Sequence, residues 1–266
     1  MSAPVFLAAA EALTGDPIDE ATGPADARAA DAGAGEGGTV VLDGPEGRHA
    51  AVVRRLRPGE RVDLTDGRGR LAHCVVAEVS GARLVCRVQH RQVVPAPSPR
   101  LVVVQALPKG DRAELAVEML TEIGVDVIVP WAASRSVVHW RGARAAKSLA
   151  KWRSHAREAT KQSRRAWLPE VRELADTTEV SRLLAQSVLP LVLHEEGGQV
   201  VPGLEVPDHG EIVVVVGPEG GLSDDELSAF TAVVAQPLRL GRSVLRTSTA
   251  GVAAAAAVLS RTGRWG

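Results

Sequence analysis

The stretch IVVVVGPEGGLSDDEL, residues 212–227, decides how the chain folds. Five apolar residues without alternation, 212–216, read as a strand buried on both faces. The strand stops at Gly217-Pro218-Glu219-Gly220-Gly221. Ser223, followed three residues later by Glu226, then has the spacing of a capping box that opens a helix. Three glycines in five residues let a ligand approach the backbone closely and meet its N–H groups. The spacing is neither GxGxxG nor GxxxxGK[ST], so the fingerprints of the dinucleotide fold and the phosphate loop are both absent. Read alone, the segment is equally a tight strand-to-helix turn.

Its neighbours repeat the rhythm. LRLGRSVLRTSTAGVAAAAAVL (238–259) contains a strand ending at Leu240-Gly241, an irregular turn over 242–246, and a helix of small residues at 249–259. Upstream, LVVVQ (101–105) is a buried strand. A helix lies between Asp111 and Gly124, and VDVIV (125–129) is the next strand. A long helix is predicted over 142–166 with Ala145, Leu149, Trp152, Ala156 and Ala159 on one face. A further strand at 188–193 and helices at 177–186 and 224–234 complete the pattern. Strands alternating with helices imply an α/β domain over 100–266, with a parallel sheet covered on both faces and ligands at the strands' carboxyl ends.

The first 95 residues differ. Short runs rich in Val and Leu at 5–7, 39–42, 61–65, 71–79 and 83–90 read as strands, with a hairpin at Asp66-Gly67 and one helix over 49–60. This predicts a small β-barrel over 1–95. Residues 14–38, rich in Gly, Ala and Asp, are expected as a mobile surface loop. Three prolines within 95–99 make a stiff linker between the two domains.

Composition bounds the function. The 266 residues are 45% hydrophobic and 24% charged, an ordinary globular balance. Cys74 and Cys86 form no CxxC or Cys/His cluster, which argues against a zinc site or a disulfide scaffold. The longest apolar runs fall well short of the ~20 residues of a membrane helix. The N-terminus lacks the basic region of a signal peptide. The expectation is a cytoplasmic protein using neither metal nor membrane. Net charge is −1, but residues 135–165 hold ten bases against one acid. Such an excess attracts anions even on a neutral protein, although a solvated helix face is the blander reading.

Taken together and in this order, GPEGG and LGRSVLRT resemble the SPOUT (trefoil-knotted) methyltransferases, and more closely the family that methylates N3 of a uridine in 16S ribosomal RNA. HAAVVRRLRPGERVDLTDGRG (49–69) is similar to that family's PUA-like RNA-binding barrel. ALPKGDRAELAVEMLTEIGVDVIVPWAASRSVV (106–138) and REATKQSRRAWLPEV (157–171) match its Thr-Glu-x-Gly, Ser-Arg-Ser and EAxEQSxR segments. The chain departs from the pattern at Pro4, at Met119, at Lys161, where an acid is usual, and at Ser248, where the family carries glutamate.

The resemblance implies a SPOUT-type parallel sheet with a deep trefoil knot, S-adenosylmethionine as cofactor, a homodimer, and 16S rRNA or the small ribosomal subunit as partner. The cofactor would be held by His194 and Glu195, by Gly217, Pro218, Glu219, Gly220 and Gly221, and by Leu240, Gly241, Val244, Leu245 and Arg246. Uracil N3 must lose a proton before or during attack. A positioned base or a cation beside the developing anion would serve that step. Arg246 and Glu219 are the catalytic candidates, and a structural ion pair is the alternative role for Arg246. Arg54, Arg55, Arg57, Arg135, Gln162, Arg164 and Arg165 are the RNA-binding candidates. Trp140 and Trp152 fall in the basic region, and Trp131 and Trp167 flank it. One of them could stack on a base, whereas Trp152 is expected in the core. The competing readings are a ribose 2′-O-methyltransferase of the same fold and a non-catalytic RNA-binding assembly factor.

Overall fold

The computed structural model describes residues 3–14 and 37–265, in two compact units: Met1–Ala96 with Lys161–Trp167, and Pro97–Thr160 with Leu168–Gly266. The loop expected over 14–38 therefore lies almost entirely outside the described residues.

The first unit is a five-stranded sheet of β1 (Val5–Leu7), β2 (Thr39–Leu42), β3 (Arg61–Thr65), β4 (Arg70–Ser80) and β5 (Arg83–Val93), in the order β1-β3-β4-β5-β2. Its core gathers alternate strand residues such as Val62, Leu64, Cys74, Val76, Leu84 and Cys86 around Phe6. Both thiols sit in that core, and burial pushes Cys74 up to about 12 and Cys86 up to about 11. The helix expected over 49–60 instead begins with α1 (Gly44–Arg48) and continues as one wider turn to Val53. Pro45 in its first turn explains the early start, because proline's fixed φ suits a helix entry.

The second unit carries seven parallel strands: β6 (Arg100–Ala106), β7 (Val127–Trp131), β8 (Glu170–Val171), β9 (Leu189–Leu193), β10 (Gln199–Val200), β11 (Glu211–Val216) and β12 (Gln236–Arg239). Their order is β10-β12-β9-β11-β6-β7-β8. The sheet is buried on both faces, and the strand periodicity sorts the residues. Leu101, Val103, Ile212 and Val214 face one core with Leu120, Trp152 and Ala254. Val102, Val104, Val213 and Val215 face the other with Val180, Leu184 and Phe230. The first core is thus shared with α2 (Arg112–Ile123), α3 (Ala143–Gln162) and α6 (Thr247–Leu259), and the second with α4 (Thr177–Gln186) and α5 (Asp224–Ala232).

Strand β7 starts two residues later than its apolar run. The Asp126 carboxylate accepts the Leu101 N–H at 2.8 Å and pairs with both Arg264 guanidinium nitrogens, at 2.7 and 3.1 Å. Gly124 closes α2 at φ +106°, a conformation that a Cβ would strain. Helix α3 ends at Gln162, not at 166, because Arg164 turns into the left-handed region at φ +57°; its last two residues and the segment to Trp167 belong to the first unit. There Lys161 Nζ meets Glu46 at 3.1 Å, and Trp167 Nε1 donates to the Val94 carbonyl at 3.0 Å.

Candidate functional site

At the carboxyl ends of the neighbouring strands β9, β11 and β12 the chain leaves the sheet in three turns. The turns enclose a cleft of about 750 Å³. The first contributes His194, Glu195 and Glu196, the second residues 217–222, and the third residues 239–247. Every residue expected to hold the cofactor lines this one cleft: His194, Glu195, Gly217 to Gly221, Leu240, Gly241, Val244, Leu245 and Arg246. The two catalytic candidates, Glu219 and Arg246, line it as well.

Each turn is fixed by hydrogen bonds that its sequence supplies. His194 Nδ1 accepts the Glu196 N–H at 3.2 Å, so in the neutral imidazole the proton sits on Nε2. The Ser223–Glu226 capping box forms as its spacing predicts, with Ser223 N donating to Glu226 Oε2 at 2.9 Å. The other oxygen of the same buried carboxylate accepts the Ser134 N–H at 2.7 Å. Arg135, next in sequence, donates from Nη1 to the Leu222 carbonyl at 2.8 Å. At Gly220 a Cβ would stand 3.2 Å from the Arg135 carbonyl and Cβ, so the glycine there permits close packing of the two segments. Arg135 thus braces the glycine turn in addition to lining the cleft.

Glu219 is tied as well, since Lys109 N donates to its Oε1 at 3.1 Å. Arg246 precedes α6, and its carbonyl accepts the N–H groups of Thr249 and Ala250 at 2.9 Å. Its side chain is exposed on the cleft wall, and no ion pair to it occurs among the described residues. Behind the third turn, Gln105 is fully buried in β6 and donates from Nε2 to the Thr247 carbonyl at 3.3 Å.

Charge divides the cleft. Glu195, Glu196 and Glu219 come from the first two turns and Asp224 from the start of α5, with Arg135 braced beside the second turn, while Arg239, Arg242 and Arg246 come from the third. One wall therefore suits a cation and the other an anion.

The RNA-binding candidates outside this cleft belong to the first unit. Arg54, Arg55 and Arg57 follow its helical turn and are exposed, as are Gln162 and Arg164, while Arg165 is half-buried. Arg55 and Arg164 hold φ of +54° and +57°, in the left-handed region where a side chain is strained. The tryptophans divide sharply. Trp131 and Trp152 are buried and Trp167 bonds to Val94, which leaves Trp140 half-buried beside Trp152. Among the described residues no group of three or more His, Cys, Asp or Glu side chains could hold a metal, and no helix is long and apolar enough to cross a membrane.

Sequence reasoning missed the second bond of Glu226 and the buried Gln105, because both join residues that lie far apart along the chain.

Known proteins resemble this architecture along nearly its whole length. Two family models match, an RNA methyltransferase domain over residues 95–259 and an RNA methyltransferase PUA domain over residues 42–89. The chain is 47% identical over 233 residues to Ribosomal RNA small subunit methyltransferase E of Mycobacterium bovis, covering 86% of this chain and 89% of that relative. It is 28% identical over 240 residues to the Bacillus subtilis protein of the same name, covering 85% and 92%. Among solved structures it is similar to the Neisseria gonorrhoeae Ribosomal RNA small subunit methyltransferase E bound to S-adenosyl methionine. That likeness has a TM-score of 0.77 at 27% identity and covers 97% of this chain and 98% of that one.

Proposed function

The chain belongs to the ribosomal RNA small subunit methyltransferase E family, and from that premise we propose that it transfers a methyl group from S-adenosylmethionine to N3 of a specific uridine in 16S rRNA. The observation that carries this reading is the convergence of the 194–196, 217–222 and 239–247 turns on one cleft.

The donor set fits that cofactor. About 750 Å³ is ample for it, the three turns offer backbone N–H and carbonyl groups, and the carboxylates of Glu195 and Glu196 suit its cationic groups. When bound, S-adenosylmethionine supplies a methyl group already activated on a sulfonium. His194, Glu195, residues 217–221 and residues 240–246 would hold it, and the remaining task falls to the protein's own side chains.

Uracil N3 carries a weakly acidic proton, so the protein must favour its departure. Arg246, exposed on the cationic wall without an ion-pair partner among the described residues, stabilises the developing uracil anion. Glu219, oriented by the Lys109 N–H, accepts the N3 proton. The exposed Arg54, Arg55, Arg57, Gln162 and Arg164, together with Arg165, contact the RNA backbone, and Arg135 contacts RNA at the cleft while bracing the glycine turn. Residues 1–95 serve as the RNA-binding domain and residues 100–266 as the catalytic domain.

Three parts of the reading concern assembly. The segment leading into α6 is threaded as a deep trefoil knot. Support comes from the topology: β12 lies beyond β9 in the sheet, yet the following α6 packs back across β11 and β6. The enzyme acts as a homodimer, with Val252, Ala253, Ala256 and Ala257 forming a half-buried stripe on α6 that a symmetry mate could cover. Its place of action is the cytoplasm, on the small ribosomal subunit.

The test is to compare 16S rRNA nucleosides from cells with and without the gene by mass spectrometry. Loss of one N3-methyluridine supports the reading. Loss of a ribose-methylated nucleoside would assign the fold's other chemistry, and no change would leave only an RNA-binding role.

A further inference from the structure

A smaller recess of about 400 Å³ is lined by the turn that follows β6, the same turn whose Lys109 N–H bonds to Glu219 in the cleft. The two share a ridge. Strands β6 and β11 are hydrogen-bonded neighbours, with Gln105 opposite Val216, so the turns that follow them lie side by side. Lys109 reaches Glu219 on the cleft side, while Pro108 and Gly110 line the recess on the other.

Nothing in the methyl-transfer chemistry uses this recess, yet its lining is specific. Its wall holds Trp140, whose ring meets buried Trp152 edge to face, with centroids 5.2 Å apart. That packing fixes the orientation of an aromatic surface that stays partly exposed. Leu107, Pro108, Ala113 and Val138 supply apolar walls, and Ser148 and His139 supply polar groups.

The cations along α3 are unevenly matched. His155 pairs with Glu118 at 2.8 Å, and Lys151, one turn earlier, pairs with Glu114 at 2.6 Å. Arg144 lies two turns before Lys151 on the same helix face and also lines the recess; it forms no ion pair among the described residues, the carboxylate in the recess, Glu114, being taken by Lys151. A fixed aromatic surface, apolar walls and an unmatched guanidinium in one small recess are the parts that bind an unpaired nucleotide.

We propose that this recess holds one unpaired nucleotide of the substrate RNA, adjacent to the nucleotide in the cleft, with its base against Trp140 and its phosphate on Arg144. The RNA strand crosses the Lys109 ridge between the two positions. This assignment rests on the reading of the chain as an RNA methyltransferase and adds a second point of grip to it, so that the target base is held out of any helix by its neighbour.

The test uses the full chain and a single-stranded oligomer of uridines carrying one 4-thiouridine. Binding is measured over a range of salt concentrations, and photocrosslinks are mapped by mass spectrometry. We expect a crosslink within residues 137–144. Trp140→Leu should lower affinity about 5- to 160-fold, the span of one lost base stack. Arg144→Gln, an exposed position where folding is not at stake, should reduce the log–log salt slope by about 0.7. Both variants should bind S-adenosylmethionine as the unaltered protein does, measured by calorimetry. Unchanged oligomer affinity and salt slope in both variants, or crosslinks only outside the recess, would overturn the proposal and leave the methyltransferase reading intact. Failure of the unaltered protein to bind S-adenosylmethionine would instead count against that reading and remove the basis of this one.

Discussion

The backbone N–H of Lys109 donates to Glu219 Oε1 at 3.1 Å and ties the turn after β6 to the glycine turn after β11. A carboxylate held this way can orient a proton acceptor or merely brace the loop, and two substitutions separate the roles. Glu219→Gln keeps an oxygen for the Lys109 N–H and removes the base. It should lower kcat by about 10²- to 10⁴-fold while leaving cofactor affinity nearly unchanged. Turnover at the normal rate in Glu219→Gln, with loss only in Glu219→Ala, would reduce Glu219 to a brace.

Gly241 offers a direct probe of the cofactor cleft. A Cβ there meets nothing within 4 Å, whereas at Gly220 it would stand 3.2 Å from the Arg135 backbone. Gly241→Val should therefore fill cleft space without disturbing the fold, weakening S-adenosylmethionine binding about 10- to 100-fold at an unchanged Tm. Gly220→Val should lower both, since it pushes the Ser-Arg-Ser segment away. Calorimetry and thermal unfolding of the pair distinguish them, and normal affinity in Gly241→Val would take the third turn out of the site.

Arg55 and Arg164 are arginines where the backbone favours glycine, with φ of +54° and +57°. Replacing each with glycine relieves a strain of roughly 1 kcal/mol, offset in part by added freedom of the unfolded chain. The double variant should thus keep its stability within about 1 kcal/mol while RNA affinity falls and its salt dependence flattens. Equal RNA affinity in filter binding would show that neither arginine touches the nucleic acid.

The small-residue helix α6 has two faces, and they predict different outcomes. Ala254 is fully buried against the chain's own core, so Ala254→Glu should prevent folding by burying an unpaired charge. Ala257 is half-buried outside that core, on the stripe with Val252, Ala253 and Ala256, so Ala257→Glu should fold but sediment as a monomer. A dimer that survives Ala257→Glu would place the interface elsewhere.

The sequence made some of this architecture legible and hid the rest for physical reasons. The Ser223–Glu226 capping box, the bounds of α4 and the doubly buried β11 depend on residues within a few positions of one another, and each appears as its local pattern predicts. The two-residue strands β8 and β10 leave no periodicity to read. β7 begins late because Asp126 is spent on Leu101 and Arg264, partners 25 and 138 residues away. The meeting of the three turns on one cleft came from the resemblance, not from spacing. The bracing of that cleft by Glu226, Arg135 and Gln105 joins residues 92, 87 and 142 positions apart, and no local pattern encodes it.

The most direct measurement is to incubate the purified protein with small ribosomal subunits lacking the modification and methyl-labelled S-adenosylmethionine, then digest the 16S rRNA and separate its nucleosides. Labelled N3-methyluridine, formed by the unaltered protein and lost in Arg246→Ala, is the predicted result. Label in a ribose-methylated nucleoside, or no label in the presence of bound cofactor, would contradict the account.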